Sequence, residues 1–145
     1  MPAGTGFPRQ LPMPQVLPGL TGDVEQALRD LNEYGLCLIA DVLDATMLGR
    51  ARDALYRAAA EDRERSREVK GFALDSNEHN QRVWNLLNRD RVFADLAEHP
   101  LAIRLVRQTL GWPALLSNIS GNITEPGAER GVLHADQIFV PEPWP

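Results

Sequence analysis

The sequence predicts an α+β protein, and three features predict it. Apolar residues recur at helical spacing through the first two thirds of the chain. Two short helical segments then meet at Pro100. From Ala114 onward the texture turns β-rich and no further helix appears. Helices first and antiparallel strands after is the order of an α+β fold, not of an alternating parallel one. No internal repeat is present.

Residues 1–20 carry Pro2, Pro8, Pro12, Pro14 and Pro18 among several glycines. Proline removes a backbone donor and fixes φ, so this segment forms neither a regular helix nor a central strand. It is expected to be an arm preceding one domain at 21–145. The first helix follows, with Val24, Ala27, Leu28, Leu31 and Tyr34 at helical spacing. Asp23 with Gln26 three residues on fits an N-cap and its returning partner, and Gly35 is a suitable stop. LCLIADVL, 36–43, reads as a short buried strand. Asp44 then caps a second helix with Met47, Leu48, Ala51, Leu55 and Ala58 on one face. Its charged end, EDRERSREVK, reads as a solvated face and loop. GFALDSNEHNQ is loop-like, and RVWNLL, 82–87, is expected to be a strand. VFADLAEH and LAIRLVRQTL are short helices, the second closed by Gly111. ALLSNISGNIT and GVLHADQIFV are strands joined by the turn EPGAERG.

At 145 residues, 43% of them hydrophobic, the chain has the length of one domain with a real core. A formal net charge of −5 argues against a nucleic-acid partner, which needs surplus Lys and Arg. No run is long enough to span a bilayer, and the N-terminus lacks the continuous apolar core of a signal peptide. A soluble, cytoplasmic location is the expectation. The lone cysteine, Cys37, sits in an apolar run and reads as a small buried hydrophobe.

His134 and Asp136 carry the one pattern with chemistry in it. Along a strand, positions i and i+2 share a face, so both side chains aim at one point while Ala135 faces away. An imidazole and a carboxylate so placed are two corners of the 2-His-1-carboxylate triad that holds iron(II). The same two-residue pattern also arises by chance on a solvated strand. His99, before a proline at a helix end, suits the helix dipole, and His79 lies in a polar loop. Neither reads as the third ligand.

The residues around the pattern carry a wider likeness. From RVWNLLNRDRVFADLAEHPLAIRLVRQTLG through NITEPGAERGVLHADQIFVPEPWP, the chain resembles the phytanoyl-CoA dioxygenase family. The shared elements are the RVWNLL strand, the helix-Pro-helix ending in LG, the N-x-x-x-PG strand and turn, and H-x-D. The likeness covers roughly residues 24–145. It implies a double-stranded β-helix, a cupin-like jelly roll, with N-terminal helices packed on it. It also implies an iron(II)- and 2-oxoglutarate-dependent oxygenase. The matching metal ligands are His134 and Asp136. Asn122, just before ITEPG, matches a strand position whose polar side chain contacts 2-oxoglutarate, and Asn118 lies four residues earlier on the same side. Gln137 is expected to point away from the metal. The family's Asp favours hydroxylation over halogenation, and its substrates are acyl thioesters and other small organic molecules. Trp84 and IFVPEPWP read equally as pocket lining or as core.

The chain departs from the family pattern in one way. The second His and the Arg that meets the 2-oxoglutarate carboxylate lie downstream of H-x-D in the family, and neither has a match here. The expectation is therefore a truncated barrel, with no turnover by the chain alone and self-association through open strand edges. The alternative is a catalytically inactive fragment or interaction module with a residual HxD.

Overall fold

A computed structural model of the chain describes residues 17–70 and 79–128. The chain divides into two compact units at Asp44 and Ala45. In the first, β1 (Leu20–Thr21) and β2 (Leu38–Ile39) pair in parallel around α1 (Val24–Tyr34). The Asp23 carboxylate caps α1 by accepting from Glu25 N at 2.9 Å. Gly35 closes it at φ 74, its N–H donating to Leu31 O. A left-handed φ at this cap is what selects glycine. The expected return bond from Gln26 is not made. Its amide donates to the buried Asp30 at 2.6 Å and its oxygen accepts from Arg29 at 2.7 Å. These bonds to residues three and four ahead are the neighbours a helix offers. Ala27 and Leu28 are buried on the apolar stripe, as the spacing predicts.

The run LCLIADVL is not a buried strand over its length. Only Leu38 and Ile39 are paired, Leu36 and Leu38 are exposed, and Cys37 is half-buried. Its partner β1 is two residues long, and Asp41 turns the chain at φ 52. A ladder cannot outlast its partner.

The second unit is built on α2 (Ala45–Glu64). Ala54, Ala58 and Ala59 on α2 join Val83, Leu86, Val92 and Phe93 in the core, with Met47, Ala51 and Leu55 packed against it. Small residues on the helix let the sheet approach closely. Leu48, expected on this face, is 57% exposed, because the buried stripe runs 47, 51, 54/55, 58 and leaves 48 one step round the helix.

The sheet has the order β3-β4-β5: β3 is Val69–Lys70, β4 is Asn80–Val83 and β5 is Gly121–Thr124, all antiparallel. The RVWNLL strand thus begins and ends earlier than expected. Asn85 adopts φ 56, and a 3-10 turn at Leu86–Asn88 follows. ALLSNISGNIT is a strand only in its last four residues, and Leu115 upstream is 95% exposed. The helices α3 (Arg91–Ala97) and α4 (Pro100–Thr109) lie where the sequence places them. His99 follows the C-cap of α3, as expected, its N–H donating to Leu96 O at 3.2 Å, and it is also the N-cap of α4, its Nδ1 accepting from Leu101 N at 3.3 Å.

EDRERSREVK is more than a solvated face. Asp62 is 5% exposed and accepts from Arg89 Nη2 at 2.6 Å. The Arg63 guanidinium donates to the Gln81 side chain, whose amide donates to Ala59 O at 3.0 Å. Gln81 thus ties α2 to β4, while Arg89 ties the end of α2 to the turn before α3 and supplies the partner that the buried Asp62 carboxylate needs. Among the described residues the architecture is α+β with no closed barrel. GVLHADQIFV and the arm up to Val16 lie outside them.

Candidate functional site

The β4–β5 pair has two unlike faces, and alternation assigns them. Gln81, Val83, Gly121 and Ile123 face α2. Val83 and Gly121 are buried opposite one another, and Ile123 packs on the core. The backbone comes so close to α2 at Gly121 that an added Cβ would lie 2.3 Å from Leu55 Cδ1. The Leu55 side chain fills the space a Cβ would need, which suits glycine at the first residue of β5.

The other face carries Arg82 directly across from Asn122. Asn122 is exposed, as is Thr124 two residues on. Arg82 is half-buried, and its guanidinium carbon lies 5.6 Å from the centroid of the Trp84 ring. The structure therefore brings a carboxamide, a guanidinium and an aromatic ring onto one side of the sheet. Such a face can donate hydrogen bonds to a carboxylate and stack against a flat apolar group. Arg82 does not stand out in the sequence. Its signal is the register that pairs it with Asn122, and register depends on a partner strand 40 residues away. Trp84 takes neither of its expected roles alone: it is half-buried and supports Arg82.

Asn118 lies upstream of β5 in a segment without regular secondary structure and is exposed, so strand alternation does not place it on the Asn122 side. His134, Asp136 and Gln137 lie outside the described residues. His79 is exposed in the turn before β4, and its carbonyl accepts from Glu125 N at 2.9 Å. Among the described residues no group of three His, Cys, Asp or Glu side chains is placed to hold a metal. No helix there is long and apolar enough to cross a membrane.

The model of the phytanoyl-CoA dioxygenase family matches residues 31–145. A dioxygenase of Aspergillus fumigatus, Dioxygenase af480, is 36% identical over 126 residues, which is 86% of this chain and 41% of that protein. No solved structure matches. The chain belongs to the phytanoyl-CoA dioxygenase family. It spans about two fifths of the length of the curated relative it matches.

Proposed function

We propose that this chain carries part of the active site of an iron(II)- and 2-oxoglutarate-dependent dioxygenase that hydroxylates a small organic or acyl substrate. The observation that supports the reading best is the H-x-D pattern at His134 and Asp136 inside the segment matched by the family model. A relative named a dioxygenase supports the activity class.

In this reading His134 and Asp136 hold the metal with one neutral and one anionic donor, a set that suits iron(II). When bound, the iron would let O2 hydroxylate an unactivated C–H bond with 2-oxoglutarate as the two-electron reductant, one oxygen atom going to the product and the other to succinate as CO2 leaves. The chain's own residues bind and orient. Asn122, exposed on the face of β5 turned away from α2, offers amide donors to a carboxylate oxygen of 2-oxoglutarate. That donor chemistry fits an anionic cosubstrate, and so does the guanidinium of Arg82 across the ladder. Asn118, exposed before the strand begins, is the second candidate for the same carboxylate. The core face of the sheet, sealed against α2 by Val83 and Ile123, holds this arrangement rigid.

Anaerobic iron(II) titration of the 145-residue chain tests the reading. Two protein ligands set a weak but measurable affinity, since ligand count and geometry govern it. His134→Ala and Asp136→Ala should each abolish it. Asn122→Ala should leave iron binding intact and weaken 2-oxoglutarate binding to the iron-loaded chain. Iron affinity unchanged by both ligand substitutions would sink the metal assignment.

A further inference from the structure

A cleft of about 370 Å³ lies at the C-terminal end of α2, lined by Glu61, Arg65, Arg67, Asn85, Asn88 and Arg89. None of the residues assigned to the dioxygenase site lines it. Both of its walls turn on non-glycine residues in the left-handed region, Ser66 at φ 52 and Asn85 at φ 56. At Ser66 that conformation is the one that ends α2, and Asn tolerates it at position 85.

Helix capping does not account for the arginines. The last turn of α2 is closed by backbone alone, with Arg67 N donating to Asp62 O at 2.7 Å and Ser66 N donating to Arg63 O at 3.0 Å. These are the paired bonds of a Schellman close, which satisfy the terminal carbonyls.

Among the described residues the charges do not balance either. Arg89 meets Asp62 at 2.6 Å and Glu61 at 3.5 Å, and Arg67 meets Asp62 at 3.5 Å. Two carboxylates therefore serve two guanidiniums. Arg65 lines the same cleft, is exposed, and makes no ion pair among the described residues. The partial charge of about −0.5 at the helix C-terminus reduces this surplus without cancelling it. A positive surplus is notable in a chain with 15 basic and 20 acidic residues.

We propose that this cleft is a second ligand site, separate from the β4–β5 face, and that it takes a phosphate monoester of a small molecule. A carboxylate offers two oxygens in a plane, which one guanidinium fork saturates. Donors here come from both walls: Arg65 and Arg67 from one, the carboxamides of Asn85 and Asn88 from the other. That spread suits the several oxygens of a tetrahedral anion. The cleft is at the lower end of the size of ligand pockets, about 300–1,000 Å³, and larger than a phosphate group alone needs. Arg89, held by Asp62 and Glu61, fixes the wall rather than the ligand.

The test uses inorganic phosphate as the probe, with acetate and sodium chloride at matched ionic strength as comparators. Calorimetric titration of the 145-residue chain should show saturable phosphate binding and none with the comparators. Arg65→Gln should weaken it about tenfold or more, the effect of losing one hydrogen-bonded charge. Arg65 has no ion pair among the described residues to lose, so the circular dichroism spectrum should be unchanged. Asn88→Ala should weaken binding by a smaller factor. Arg52→Gln, whose guanidinium pairs with the neighbouring Asp53, should leave it unaltered. The proposal is overturned if phosphate acts no differently from acetate or chloride. It is equally overturned if Arg65→Gln binds phosphate as tightly as the parent, or if Arg52→Gln weakens binding as much as Arg65→Gln does.

Discussion

Replacing Asp62 with Asn keeps the shape of a buried side chain and removes its charge. Asp62 is 5% exposed and lies between Arg89 Nη2 at 2.6 Å and Arg67 Nη2 at 3.5 Å. Arg89 is itself largely buried, with its side chain 20% exposed, and its remaining partner is Glu61 at 3.5 Å. Removing one member of a buried ion pair costs about 3–5 kcal/mol when the other is left stranded. Here Glu61 retains part of the Arg89 charge, and the Asn oxygen still accepts one bond. The expected loss is therefore nearer the value of a charge-assisted hydrogen bond, about 1.5–3 kcal/mol. Against a total stability of roughly 5–15 kcal/mol, that is a large fraction. Urea unfolding should show a lower midpoint with an unchanged slope. At about 1–3 kcal/mol per molar urea, the midpoint falls by roughly 0.5–3 M. A cycle with Arg89→Gln separates the pair from its surroundings, and the expected coupling is about 1–2 kcal/mol. Raising the ionic strength should barely change that coupling, because a buried pair is poorly screened. Additive losses in the cycle, within about 0.5 kcal/mol, would refute the claim that Asp62 and Arg89 clamp the end of α2 to the turn before α3.

Gly121→Ala places a Cβ 2.3 Å from Leu55 Cδ1, the tip of a side chain that must swing aside, so it should destabilise by about 0.5–1.5 kcal/mol. Pairing it with Leu55→Ala should recover part of that loss in the same urea assay. Ser66→Gly relieves a left-handed serine at φ 52 and should stabilise by about 1 kcal/mol, seen as a higher thermal midpoint. The outer edges of β3 and β5 have no partner among the described residues, and Leu110, Trp112, Leu115 and Leu116 are exposed. Sedimentation should therefore show self-association, and Leu115→Ser with Leu116→Ser should shift it toward monomer.

Local chemistry is legible in the sequence alone. Asp23 and Gly35 bound α1, Pro100 separates α3 from α4, and Met47, Ala51, Leu55 and Ala58 of α2 pack on the core, because caps, prolines and helical spacing act within a few residues. The H-x-D pattern at 134 and 136 and its family setting are also visible in the sequence, and the family match over 31–145 agrees with that setting. Strand extent is not legible. LCLIADVL and ALLSNISGNIT have the composition of strands, yet only Leu38–Ile39 and Gly121–Thr124 are paired, since a strand exists only where a partner runs beside it. The same cause hides Arg82, whose place beside Asn122 is set by the register of β4 on β5. It hides Asp62 as well. In EDRERSREVK that residue looks like any other surface charge, and only the arrival of Arg89 from 27 residues downstream makes its burial tolerable.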